Sequence, residues 1–65
     1  MKKRYNVYFN DNYDIDGVDE ICESFSEAQQ WYGEKQVRFY GLPERLEEFK
    51  RAITSVAKIK KIITL

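Results

Sequence analysis

Histidine is absent from the chain. Without an imidazole there is no Ser-His-Asp or Cys-His nucleophile, no histidine general base and no His-ligated metal site. Cysteine is nearly absent too. Cys22, the only one, cannot form an intramolecular disulfide or build a zinc or iron–sulfur site. It reads as a small buried apolar residue and gives no sign of an oxidising compartment. No apolar run approaches the roughly 20 residues of a membrane span, so no membrane association is expected. The basic start, Met-Lys-Lys-Arg, runs into aromatic and polar residues rather than an apolar stretch. No secretory signal is therefore expected, and the expected location is the cytoplasm.

Neither phosphate-cradling glycine motif, G-x-x-x-x-G-K-[ST] or G-x-G-x-x-G, occurs. Ser55-Val56-Ala57-Lys58 spells S-x-x-K without the partner motifs of the enzymes that use it. Carboxylates are plentiful, but 65 residues leave little room for a cleft that holds a sugar and raises one pKa. The expectation is a non-enzymatic protein without a cofactor.

The length suits one domain over residues 1–65. Such a domain buries only about 60% of the surface its unfolded chain exposes. Aromatic residues make up 15% of the chain, more than a small core encloses, so some are expected at the surface or in an interface. The net charge of zero is unevenly distributed. Residues 1–34 carry three basic and eight acidic side chains, a balance of −5, and residues 35–65 carry eight and three, a balance of +5. Zero net charge argues against loose nucleic-acid binding by bulk attraction, while the segregation argues for one acidic and one basic surface.

Residues 4–10 read as a strand with Tyr5, Val7 and Phe9 on one side and Arg4, Asn6 and Tyr8 on the other. Val18, Ile21, Cys22, Phe25, Ala28 and Tyr32 follow helical spacing, which predicts a helix over 18–32 with Asp16 as a cap and Gly33 as its end. Ser24 with Glu27, and Ser26 with Gln29, also spell capping boxes, which would start the helix later and leave 18–23 as a hairpin strand. Residues 36–40 read as a strand with Val37 and Phe39 opposite Arg38 and Tyr40. Gly41-Leu42-Pro43 reads as a turn with Pro43 at the first helical position. Leu46, Phe49, Ile53 and Val56 form an apolar helical stripe, and the charges suit the helix dipole and allow a Glu47–Arg51 pair. Residues 58–65, rich in β-branched side chains, read as a last strand, with a longer helix as the alternative. The fold expected is α+β, an α/β two-layer sandwich: a small, mostly parallel three-stranded sheet with both helices on one face, in the order β-α-β-α-β. The alternative order is β-β-α-β-α-β, with 18–23 as a hairpin strand.

Three surfaces stand out. Asn12, Asp14, Asp16, Gly17 and Glu23 resemble the calcium loop of EF-hand proteins across twelve residues. The first three and Glu23 match side-chain ligand positions, and Gly17 matches the turn glycine. The resemblance departs at Asn12, where aspartate is usual, at Asp19, where an apolar residue is usual, and in the strand-like segment that enters the loop. An acidic turn is the simpler reading, and calcium the weaker one.

Arg4, Asn6, Tyr8, Arg38 and Tyr40, joined by Lys58 and Lys60 where the last strand pairs, would share an open sheet face. Tyrosine with arginine on such a face resembles, in kind, the stacking platform of RNA-recognition sheets. The simpler readings are a solvated sheet or a homodimer face.

The third surface is the acidic run. On a helix over 18–32, Asp19, Glu20, Glu23 and Glu27 face outward, and Glu20, Glu23 and Glu27 form a row. Tyr13 and Trp31 supply aromatic anchors in the same stretch. A tiny, charge-segregated chain without catalytic groups is similar to small inhibitors encoded by phages and other mobile elements. That resemblance implies a protein-binding module whose acidic surface meets a basic partner, such as a nucleic-acid-processing enzyme. Nucleic-acid binding through the basic sheet face is the alternative, and a calcium-binding module the third.

Overall fold

A computed structural model describes residues 1–30 and 35–65. The first strand, β1, spans Lys3–Phe9. Its alternation is realised: Tyr5, Val7 and Phe9 are buried, while Arg4 is exposed and Asn6 and Tyr8 are half-buried. Helix α1 then spans Ile15–Ser24. Its cap is Asp14 rather than Asp16, with the Gly17 amide donating to the Asp14 carboxylate at 3.2 Å. Val18 and Cys22 face the core, so residues 18–23 are helix and not a hairpin strand.

The helix does not continue to residue 32. Phe25 turns extended at its C-terminus and sends its ring into the core. The Ser24 hydroxyl donates back to the Ile21 carbonyl, so neither serine-led capping box starts a later helix. Residues Ala28–Gln30 form a short strand, β2. Good helix formers are drawn into a strand here because the edge of the sheet offers their backbone a partner, and tertiary pairing outweighs a weak local propensity. The expected helix end at Gly33 lies outside the described residues.

Strand β3 spans Gln36–Gly41, helix α2 Pro43–Ile53 and strand β4 Ile59–Thr64. Pro43 sits in the first turn of α2, and Leu46, Phe49 and Ile53 are its buried stripe. Glu47 pairs with Lys50 at 3.1 Å instead of with Arg51.

The class is α+β, but the sheet differs from the expected one. It has four strands in the order β2-β3-β1-β4, and every adjacent pair is antiparallel. The order β-α-β-α-β misses β2, and with it the hairpin to β3. That hairpin inserts β3 between β1 and β2, so each helical crossover skips one strand and no parallel neighbours remain. This is the split β-α-β, or ferredoxin-like, arrangement. Both helices contribute to the core on one side of the sheet, where Phe25, Phe39 and Phe49 meet with centroids 5.2–6.5 Å apart. Among the described residues no helix covers the other side of the sheet, where Arg4, Gln29, Arg38 and Tyr40 are exposed.

Gly17 marks the tightest packing of α1. An added Cβ would lie 2.9 Å from the Val56 Cβ. Val56 cannot retreat freely, because its carbonyl accepts the Asp14 amide at 2.9 Å and ties the start of α1 to the turn after α2. Helix propensity alone favours Gly17→Ala by about 1 kcal/mol. Overpacking reverses the sign, and the variant is expected to lose about 1–3 kcal/mol in urea unfolding.

Candidate functional site

The antiparallel register sets the open face in three rows. At one end Gln36, Tyr8 and Lys61 lie side by side on β3, β1 and β4. Gln29, Arg38, Asn6 and Ile63 form the middle row across all four strands. At the other end Tyr40 lies opposite Arg4, whose carbonyl accepts the Leu65 amide. The structure thus brings together Arg4, Tyr8, Arg38 and Tyr40, as their alternation implies.

Each tyrosine has cations over its ring. The Lys61 ammonium sits 5.0 Å from the Tyr8 centroid, and the Arg4 guanidinium and Lys2 ammonium sit 5.6 and 5.8 Å from that of Tyr40. Tyr40 is 51% exposed, so its ring offers a further surface to a ligand. In the middle row the Asn6 Oδ1 is buried without a hydrogen-bond partner among the described residues. A lone buried acceptor is costly.

Lys60 is not on this face in the expected way. A bulge between Tyr8 and Phe9 leaves Lys61 opposite Tyr8 and Ile59 opposite Phe9. Lys60 is the extra residue, and it turns with Lys58 and Lys61 toward a concavity beyond Tyr8. No local pattern announces a bulge, so Lys61 could not be placed by alternation.

The fold also sorts charge by layer. None of the four strands contains an aspartate or glutamate, while they carry Lys3, Arg4, Arg38, Lys60 and Lys61. Helix α1 is the reverse, with Asp16, Asp19, Glu20 and Glu23 and no basic residue. The charge asymmetry between the two halves of the chain becomes one between sheet and first helix.

The predicted acidic row is broken. Glu20 and Glu23 are exposed on α1 and Asp19 is half-buried there, but Glu27 lies beyond the helix, in the turn before β2. Arg45 Nε donates to the Glu27 carboxylate at 2.8 Å and its Nη1 to Glu48 at 2.5 Å, while the guanidinium lies 4.9 Å from the Phe25 centroid. Glu27 is therefore a clamp between β2 and α2. The bond from Arg45 holds its carboxyl below the usual carboxylate range. A depressed folded-state pKa stabilises above the unfolded value of about 4.3 and ceases to do so as pH falls through the folded value. The stability gap between the native chain and Glu27→Gln is thus expected to be constant near neutrality and to close in acid, as urea midpoints at about pH 7 and about pH 3 would register.

Tyr13 is half-buried against Phe9, with centroids 5.8 Å apart, which leaves it little freedom as an interface anchor. Trp31 lies outside the described residues. The calcium-like residues do not form a loop. Asp14 caps α1, and Asp16, Gly17 and Glu23 are inside it. Among the described residues no three acidic or cysteine side chains are grouped as a metal ion requires. Burial pushes the Cys22 thiol up to about 11, with Asp19 adding to the effect, so it stays protonated and unreactive at neutral pH. Among the described residues no helix is long and apolar enough to cross a membrane.

No family model, curated protein or solved structure matches the chain. The fold by itself assigns no activity, so function is argued from the open face.

Proposed function

We propose that the protein binds single-stranded nucleic acid on the open face of its sheet, as a cytoplasmic binding module that performs no reaction. The observation that carries this reading is the pairing of half-exposed Tyr40 and half-buried Tyr8 with cations, on strands that hold no acid. Stacking on aromatic rings tolerates any base, and the cations neutralise the backbone. Tyr8 and Tyr40 are four residues apart along the sheet and one strand apart across it. That separation, about 14 Å, is too great to sandwich one base, so each ring takes its own.

The test is fluorescence anisotropy with labelled DNA and RNA single strands of about 8–10 nucleotides. If about four cations meet phosphates, log affinity falls against log salt with a slope of about −3, roughly a 60-fold loss between about 50 and about 200 mM. Arg4→Glu with Arg38→Glu should abolish binding, and Glu20→Lys with Glu23→Lys should leave it equal or tighter. Absence of binding at low salt would sink the proposal.

A second reading has its own observation. Glu20 and Glu23 stand exposed on α1 without an ion pair among the described residues. They would steer the protein to a basic protein partner, as in a small inhibitor. The same α1 reversal separates the two, since it would abolish that contact.

A further inference from the structure

At the Tyr8 end of the sheet lies a concavity of about 810 Å³ lined by four lysines, Lys35, Lys58, Lys60 and Lys61, together with Tyr8 and Gln36. Among the described residues the one acid in its lining is Asp11, which Lys35 engages. Lys58 and Lys60 make no ion pair among the described residues, and Lys61 lies over Tyr8. Among the described residues the lining therefore holds four positive charges against one negative, in a chain whose net charge is zero. Consecutive lysines on a regular strand would point to opposite faces. The bulge in the β1–β4 pairing lets Lys60 and Lys61 both line the concavity, as bulges near functional sites commonly re-aim a side chain.

The second observation is Gln36. It is only 9% exposed, lines the concavity and makes no side-chain hydrogen bond among the described residues. Unlike the Asn6 Oδ1, its polar atoms are not shut off from solvent, so the amide is free to meet a ligand in the concavity. It adds an N–H donor to the lining that the four lysines share.

We propose that this concavity is a phosphate site and that it receives the terminal phosphomonoester of the bound strand. The second clause rests on the nucleic-acid reading above. A monoester carries about −1.5 to −2 charges at neutral pH, against −1 for a diester, and so matches the excess of lysine better. The place fits as well. The row that holds Tyr8 is the last on this end of the face, so a strand stacked on Tyr40 and then Tyr8 reaches the lysines at its end.

The full chain is titrated by calorimetry and by NMR of the Gln36 side-chain amide with three probes: inorganic pyrophosphate, a short thymidine oligonucleotide without terminal phosphates, and the same oligonucleotide carrying a 5′- or 3′-phosphate. Pyrophosphate is expected to shift the Gln36 amide saturably, and the terminal phosphate to tighten binding about tenfold. Lys58→Ala with Lys60→Ala, both exposed positions, should erase that preference and the pyrophosphate shift. Tyr40→Ala should weaken both oligonucleotides alike and leave pyrophosphate binding unchanged. Pyrophosphate binding without oligonucleotide binding would uphold the phosphate site and overturn the nucleic-acid reading. Oligonucleotide binding indifferent to the terminal phosphate, with no pyrophosphate shift, would overturn the site and leave that reading standing.

Discussion

Phe49→Ala is expected to unfold the protein or bring it to the edge of unfolding. Phe49 is wholly buried, with the Phe39 ring centroid at 5.2 Å and the Phe25 ring edge-on at 5.3 Å. Truncation removes the centre of this cluster, and its neighbours cannot collapse into the gap without pulling on both β3 and the end of α1. Such a change costs about 3–5 kcal/mol. Small domains begin near the low end of the usual 5–15 kcal/mol of total stability. Circular dichroism through a urea titration should show a transition shifted to very low denaturant or missing. Phe49→Leu should cost less, about 1.5 kcal/mol. An unchanged midpoint for Phe49→Ala would mean that the buried face of α2 is misassigned.

Tyr8→Ala combined with Tyr40→Ala is expected to remove single-strand binding while the chain stays folded. Base stacking on an aromatic ring contributes about 1–3 kcal/mol per base, so two rings amount to about 2–6 kcal/mol, or roughly 30- to 20,000-fold in affinity. Tyr40 is half exposed and Tyr8 half-buried on the face away from the core, so stability should change little. Phenylalanine at both positions keeps the π-face and should retain most of the affinity. Loss with phenylalanine as well would point to the hydroxyl groups and against stacking. Binding that survives the double alanine change would leave the arginines and lysines as the whole of the interaction.

The open face was legible from residues four to ten and 36 to 40 because alternation is local. A pleated strand sends every second side chain to the same side, so Tyr5, Val7 and Phe9 had to part from Arg4, Asn6 and Tyr8. The stripe of Leu46, Phe49 and Ile53 was readable for the same reason at the helical period. Glu27 was not. Its spacing from Glu20 and Glu23 is that of a helix, and only Arg45, eighteen residues away, determines that it clamps a turn instead. Lys60 was misplaced by a bulge that exists only in the pairing of two strands 50 residues apart in sequence.

By itself the sequence determined the chemistry that is unavailable, the two faces of β1 and β3, and the buried stripe of α2. Each follows from residue type or from a period that the backbone imposes over a few neighbours. The tertiary structure alone decided that Ala28–Gln30 is a strand, that all pairs are antiparallel, and that the lysines gather beyond Tyr8. Those outcomes depend on which strand edge is free to pair and on which distant side chain arrives opposite. Such contacts are fixed when long-range pairing outweighs small local propensities, and no window of consecutive residues contains them.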